Sequence, residues 1–391
     1  MEGPGGEGPG LPMGDGAPGP TEVAARVGWE AGSDRTAARI AVDAMGGDHG
    51  PAEVVPGALT YARRHPADTV LLVGRPEAVE AHAGGPLPAN VRVVAAREVV
   101  EMDESPALAL RRKRDASILV AMDLIRRGDA DAVVTAGHTG AGMAAAVLKL
   151  GTLPGVDRPA LAVRMVGVQR PFVLLDIGAN PDSTGENLYQ YARMGAIFAE
   201  RVVGIPRPRV ALLSIGEERG KGDSRIQRAT ELLDRSNLRF IGNVEGKDLV
   251  AEMADVVVCD AVVGNVTIKF FEGLSGAIFD LLRAEFRRWP RGPLAYWLLR
   301  PGLERIRTLF DYEKVGGSIL LGVRGSVIIT HGRARQRMIG YALEVAAQMA
   351  RVRLPERIQE ALAEDGRAMT GPPAAGGVMD GPAADGTAAG R

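Results

Sequence analysis

Five glycine-rich segments carry most of the side chains in this chain that could do chemistry. Asp43-Ala44-Met45-Gly46-Gly47-Asp48-His49 offers two carboxylates and an imidazole. Thr135-Ala136-Gly137-His138-Thr139-Gly140 offers an imidazole and hydroxyls, and Asp176-Ile177-Gly178-Ala179-Asn180 a carboxylate and an amide. Ser214 to Gly222 contains Lys221, and Asp260 to Asn265 ends on a second amide after Gly264. Glycine lets the backbone come close to a ligand, and a helix N-terminus favours an anion. A lysine, the amides of Asn180 and Asn265, and many backbone N–H groups could hold phosphate and stabilise an oxyanion. They are poor equipment for a covalent intermediate.

Other chemistries fit less well. Gly137 to Gly142 reverses the order of the dinucleotide fingerprint, and Gly216 to Gly222 fails the P-loop because Gly222 stands where a magnesium-binding Ser or Thr is needed. Nucleotide hydrolysis is therefore not expected. Without H-E-x-x-H, G-x-S-x-G or a spaced His/Cys cluster, neither a metal nor a cofactor is expected. Asp43 and Asp48 read as residues that fix turns. Cys259, the single cysteine, ends the run Val256-Val257-Val258, which suggests a buried thiol and a reducing cytoplasm.

Each segment follows a short apolar run, and longer helical patterns separate the runs. Strands are expected at Arg39–Asp43, Thr69–Val73, Val91–Ala95, Asp131–Thr135, Phe172–Asp176, Arg209–Ser214, Asp255–Cys259 and Val327–Thr330. This alternation implies an α/β fold with a mostly parallel sheet. Parallel strands would gather all five segments on one sheet edge, where such folds bind ligands.

Of the 391 residues, 47 are Lys or Arg and 48 Asp or Glu, a balance unlike that of a nucleic-acid binder. Residues 1–20 hold 8 Gly and 5 Pro, and residues 366–391 hold 7 Gly, 7 Ala and 3 Pro. Such stretches bury too little surface to offset ordering entropy. Disordered tails are therefore expected at 1–38 and 366–391, around a single domain at 39–365. No uninterrupted apolar run approaches the ~18 residues of a bilayer-spanning helix.

The ordered set Asp43 to His49, the Ala-Gly-x-Thr-Gly loop at 136–140, Leu175 to Asn180, Ile241-Gly242-Asn243-Val244-Glu245 and Gly264-Asn265-Val266 resembles the acyl-ACP:phosphate acyltransferase (PlsX) family. The likeness runs from about Ile40 to about His331. It implies a homodimeric three-layer α/β/α fold related to phosphotransacetylases and isocitrate-dehydrogenase-like enzymes. It also implies transfer of a long acyl chain from acyl carrier protein to inorganic phosphate. The acyl phosphate formed would feed phospholipid synthesis through a downstream glycerol-3-phosphate acyltransferase. The family's catalytic Lys and Asn fall on Lys221 and Asn265. Substrate contacts are expected from Asp43, Gly46, Gly47, Asp48, His49, Gly137, His138, Thr139, Gly140, Asp176, Gly178, Asn180, Asn243, Glu245, Asp260 and Gly264. The chain departs from the family pattern at His138, Thr184-Gly185, Ala261-Val262 and Arg333-Ala334. A short-chain phosphotransacetylase using CoA thioesters and a non-catalytic membrane scaffold are the alternatives.

Two surface features stand apart. Arg111-Arg112-Lys113-Arg114 is either a solvated face or a docking patch for the acidic carrier protein. Residues 281–310 contain 7 Arg, 2 acidic residues, Trp289, Trp297 and Leu298, with Pro290, Pro293 and Pro301 expected to break the segment into short helices. Basic residues beside Trp and Leu suit an anionic membrane interface or a dimer interface. A cytoplasmic enzyme lying peripherally on the inner face of the cell membrane is expected.

Overall fold

Ile40 and Val42 point to one face of the first strand and Ala41 to the other, and all three are buried because helices cover both faces of the sheet. The same two-residue alternation recurs through the sheet, with Leu175, Leu212 and Val258 on the first face and Leu174, Ala211 and Val257 on the second. The computed structural model describes residues 36–370 apart from 166, 168, 169 and 310. The expected N-terminal tail thus lies outside the described residues up to residue 35, and the expected C-terminal tail from residue 371.

The chain runs β1 (Arg39–Asp43), α1 (Pro51–Arg64), β2 (Thr69–Gly74), α2 (Pro76–His82), β3 (Val91–Ala95), α3 (Pro106–Arg112), α4 (Ser117–Arg127), β4 (Ala132–Thr135) and α5 (Thr139–Leu150). It continues through β5 (Ala160–Met165), β6 (Phe172–Leu175), α6 (Gly185–Phe198), β7 (Arg209–Leu213), α7 (Ser224–Asp234), β8 (Arg239–Val244) and β9 (Val256–Val258). It ends with α8 (Ala261–Arg288), α9 (Gly292–Leu309), β10 (Ser318–Leu321), β11 (Ser326–Ile329), α10 (Gln336–Arg351) and α11 (Leu354–Thr370). The last helix thus runs past residue 366, where the C-terminal tail is expected to begin. Local chemistry marks several boundaries. Gly128 ends α4 in the left-handed region at φ 77°, and Thr184 and Asn187 close a reciprocal capping box at the start of α6.

Among the described residues the strands form one sheet of eleven, ordered β3-β2-β1-β4-β11-β10-β5-β6-β9-β7-β8. β3, β2, β1, β4 and β11 run parallel to one another. β6, β9, β7 and β8 form a second parallel set. Between the sets, β10 and β5 make three successive antiparallel pairings. Three reversals leave the second set pointing opposite to the first. The expectation that all five glycine loops share one edge is therefore wrong. The error came from missing β5 and β10, two short strands whose pairing inverts the sheet.

Register brings the loops back together. Val42, Val134, Ile328, Ile319, Ala162, Leu175, Val258 and Leu212 pair across the sheet in a single row. Each of Val42, Val134, Ile328, Leu175, Val258 and Leu212 stands one residue from the end of its strand, or at that end. The two opposed sets therefore finish at the same level and meet across β10 and β5.

One face carries a continuous core, in which α1, α6 and α10 cover the sheet. On the other face the core divides. Leu161 and Ile329 belong to the cluster under α4 and α5, whereas Val163, Phe172 and Val257 belong to a second cluster with Ile268 and Phe271 of α8 packed against it. Each fully buried Leu, Ile or Phe contributes ~1.5–3 kcal/mol by leaving water.

The segment expected to be broken by prolines at 281–310 is the distal part of a longer hairpin. α8 spans 28 residues and α9 18, and only Ala261 and Gly264 of α8 are buried. Pro290 falls in the connecting turn, whereas Pro301 sits inside α9. Phe286 and Tyr296 meet edge to face at 5.6 Å, pairing the two helices around that turn.

Candidate active site

The seam between the two clusters opens into a cavity of about 540 Å³. Leu161, Val163, Met165, Ile177, Phe271 and Ile329 give it an apolar wall. Thr139 and Gly140 enter from the start of α5, which follows β4, Gly178 and Ala179 from the loop after β6, and Asn265 from the start of α8. Loops of both opposed strand sets therefore line one space. Of the residues expected to form a site, Thr139, Gly140, Gly178 and Asn265 line it.

Several others shape its frame. Asp43 is 3% exposed and accepts hydrogen bonds from the Thr135 hydroxyl (2.8 Å) and the Met45 N–H (3.3 Å). Burial pushes its pKa up against the bonds that favour the carboxylate. Asp176 is fully buried and accepts the N–H groups of Leu161, Gly178, Ala179 and Asn180, as well as the Asn180 side-chain amide. Burial raises its pKa too. These carboxylates set loop shape and do not line the cavity. Asn180 also donates to the Pro159 carbonyl at 2.6 Å, so its amide serves the loop as well.

Gly46 presses on the second loop, where a β-carbon would stand 2.7 Å from the Gly137 N–H. The Asp48 N–H donates to the Gly332 carbonyl at 2.8 Å, while the side chains of Asp48 and His49 are exposed. Gly47 and Gly137 lie in these packed turns and do not line the cavity. His138 Nδ1 accepts the Gly140 N–H at 3.0 Å and caps α5. Asp260 caps α8 by accepting the N–H groups of Val262 and Val263.

Lys221 lies on the exposed loop between β7 and α7. Asn243, at the end of neighbouring β8, donates its amide to the Glu218 carbonyl at 3.2 Å and so braces this loop. Glu245 accepts from Lys247 at 2.7 Å and caps a short 3₁₀ turn. Arg225 of α7 approaches Asp260 at 3.4 Å, linking the Lys221 loop to the start of α8. Lys221 and Asn265 therefore follow adjacent strands, β7 and β9, yet only Asn265 lines the cavity.

Lys269, Glu272, Ser275, Thr330 and His331 also line the cavity and were not anticipated as site residues. Spacing could have found the first three. Asn265, Lys269, Glu272 and Ser275 repeat at three and four residues, which places them on one helix face. Thr330 and His331 depend on β11 ending beside β4, which the sequence alone does not reveal. Cys259 is 1% exposed, and burial pushes its thiol pKa up, so it is no nucleophile.

The basic run begins at the end of α3. A β-carbon on Gly140 would stand 3.3 Å from Pro106, so α3 packs against the cavity lip. Arg111, Arg112 and Arg114 are exposed, whereas Lys113 donates to the Val99 carbonyl (2.6 Å) and pairs with Glu104 (2.5 Å).

A family model described as fatty acid synthesis protein matches residues 38–357. A phosphate acyltransferase from Desulfitobacterium hafniense is 48% identical over 326 residues, covering 83% of this chain and 97% of that one. A phosphate acyltransferase from Synechococcus is 46% identical over 331 residues, covering 83% and 90%. Among solved structures, the EutD phosphotransacetylase from Staphylococcus aureus aligns over 80% of this chain and 94% of its own, with TM-score 0.53 and 16% identity. A phosphotransacetylase from Streptococcus pyogenes aligns over the same shares with TM-score 0.53 and 17% identity. The two structures share the α/β/α fold.

Proposed function

The chain belongs to the phosphate acyltransferase family, and from that premise we propose that its cavity joins a long-chain acyl thioester of acyl carrier protein to inorganic phosphate. The enzyme transfers an acyl group to phosphate. The observation that carries the substrate reading is the cavity's composition: an apolar wall able to take an acyl chain lies beside the Asn265 amide. A two-carbon donor on CoA would have no use for that wall.

Phosphate is already a competent oxygen nucleophile, and a thioester is an activated acyl donor. Holding the pair in line can supply several of the ~7–11 kcal/mol available from orientation. A phosphate oxygen attacks the carbonyl carbon, the carbonyl oxygen takes up the negative charge, and the carbon–sulfur bond then breaks. Asn265 donates to that oxygen, a contribution of roughly 3–4 kcal/mol for a well-placed donor. Lys221, on its braced and exposed loop, offsets negative charge. The leaving thiolate has a pKa near ~8.5 and needs no strong acid. Transfer is direct, with no acyl-enzyme.

The carrier docks through Arg111, Arg112 and Arg114 beside the Gly140 lip, where opposite charge steers encounter with an acidic partner. The helical hairpin has two uses in this reading. Val262, Val266, Phe270, Leu274 and Ile278 recur every fourth residue of α8 and are exposed, an apolar stripe suited to a second copy of the chain. The distal Trp289, Trp297 and Leu298 are 57%, 67% and 63% exposed beside arginines, which suits an anionic lipid interface. α8 is long and apolar enough to cross a bilayer. Its first turns, however, line the cavity and carry Lys269 and Glu272, so it is read as lying against lipid only at its far end. A downstream glycerol-3-phosphate acyltransferase would consume the product.

The test is to mix the purified protein with palmitoyl-acyl carrier protein and phosphate. Free carrier thiol and acyl phosphate are expected in equal amounts. Preference for a C2 CoA thioester would support the short-chain alternative, and no turnover of either donor would support a scaffold.

A further inference from the structure

We propose that Lys269 is the phosphate-binding cation of the Asn265 cavity, assisted by the Thr330 hydroxyl. This assignment rests on the acyl-transfer reading and adds a residue to it. Lys269 lines the cavity, whereas Lys221 does not. It follows Asn265 by four residues on α8, so the two side chains share a helix face and start ~6 Å apart along the axis. Among the described residues, no hydrogen bond or ion pair occupies its ammonium.

A second observation points to a missing ligand. Thr330 lines the same cavity, is 2% exposed, and has a hydroxyl oxygen with no hydrogen-bond partner. An unsatisfied buried hydroxyl is costly, and an oxyanion arriving beside it would supply the acceptor it lacks. Ammonium, amide and hydroxyl together are suited to a tetrahedral oxyanion.

The two carboxylates of the cavity leave room for this. Asp311 is engaged by Arg337, and Glu272 lies ~10 Å along the helix from Asn265, beyond Lys269. An anion beside Asn265 therefore meets Lys269 before Glu272. Phosphate held there would lie next to the donor of the oxyanion site, as direct attack on the thioester requires.

The assignment separates two substrates that share the site. Lys269→Gln should raise the KM for phosphate about tenfold or more, the effect of losing one charge-assisted bond, and leave the KM for acyl carrier within about twofold. Lys269→Arg should recover most of the loss, and Thr330→Val should raise the phosphate KM alone. Inorganic phosphate without acyl donor should raise the melting temperature of wild type and not that of Lys269→Gln. Wild-type phosphate KM and an undiminished phosphate shift in Lys269→Gln would overturn the assignment while leaving acyl transfer standing. If wild type forms no acyl phosphate, the acyl-transfer reading falls instead, and the phosphate shift still decides whether Lys269 holds the anion.

Discussion

Gly264 rests so closely on the Asp176 carbonyl that a β-carbon at 264 would lie 2.0 Å from its oxygen. No side chain fits there without moving backbone. The contact seats the start of α8 on the loop after β6, and the Asn265 amide nitrogen stands 3.8 Å from where a β-carbon on Gly178 would be. Gly264 was expected to touch substrate, but its place in the fold is to bring Asn265 into the cavity.

Gly264→Ala should therefore displace α8 and cost ~1–3 kcal/mol, as overpacking usually does. Turnover should fall far more than the urea midpoint. A variant with normal turnover would show that this contact does not position Asn265.

Asp43→Asn tests the buried carboxylate through pH. Burial raises the pKa of Asp43 in the folded protein above the ordinary carboxylate value. The folded state then holds the proton more tightly than the unfolded chain. Stability contributed by Asp43 is greatest below that value and declines as pH rises through the folded pKa. Relative to Asp43→Asn, wild type should therefore lose stability as pH rises across and above the ordinary carboxylate range. The measurement is a urea midpoint for each protein across that range. A difference that grows with pH would have the wrong sign.

Much of this frame was legible in the sequence, and the part that was not has one cause. Strands such as Arg39–Asp43 and Phe172–Leu175 announce themselves as apolar runs covered on both faces. β10, Ser318–Leu321, is four residues between Gly317 and Gly322, and β5 carries Arg164 within its run. Such short segments show no clear period. Missing them hid the reversal of the sheet, and with it the approach of Thr330 and His331 to the cavity. Lys269 was readable from its spacing to Asn265, but a single lysine on a long amphipathic helix gave no reason to separate it from a solvated face.

Charge reversal at Arg111, Arg112 and Arg114 should raise the KM for acyl carrier severalfold and flatten its dependence on salt, with kcat at saturation little changed. Lys113 is left intact because it ties the loop to Val99 and Glu104. An unchanged KM and salt slope would remove this face from docking.

Trp297→Glu should abolish flotation with vesicles containing anionic lipid and leave the oligomeric state unchanged. Phe270→Glu, on the apolar stripe of α8, should instead dissociate a dimer, read by light scattering. Loss of the dimer with Trp297→Glu would assign the tip to the subunit contact.

The proposed mechanism has Asn265 stabilise the oxyanion from the cavity wall and Lys221 offset charge from its loop outside that wall, and turnover of their alanine variants tests both roles most directly. With palmitoyl-acyl carrier protein and phosphate, each variant should retain the wild-type melting curve. Each should form acyl phosphate at least about a hundredfold more slowly, as expected for loss of a transition-state donor or charge. Wild-type rates in either variant would contradict the role given to that residue.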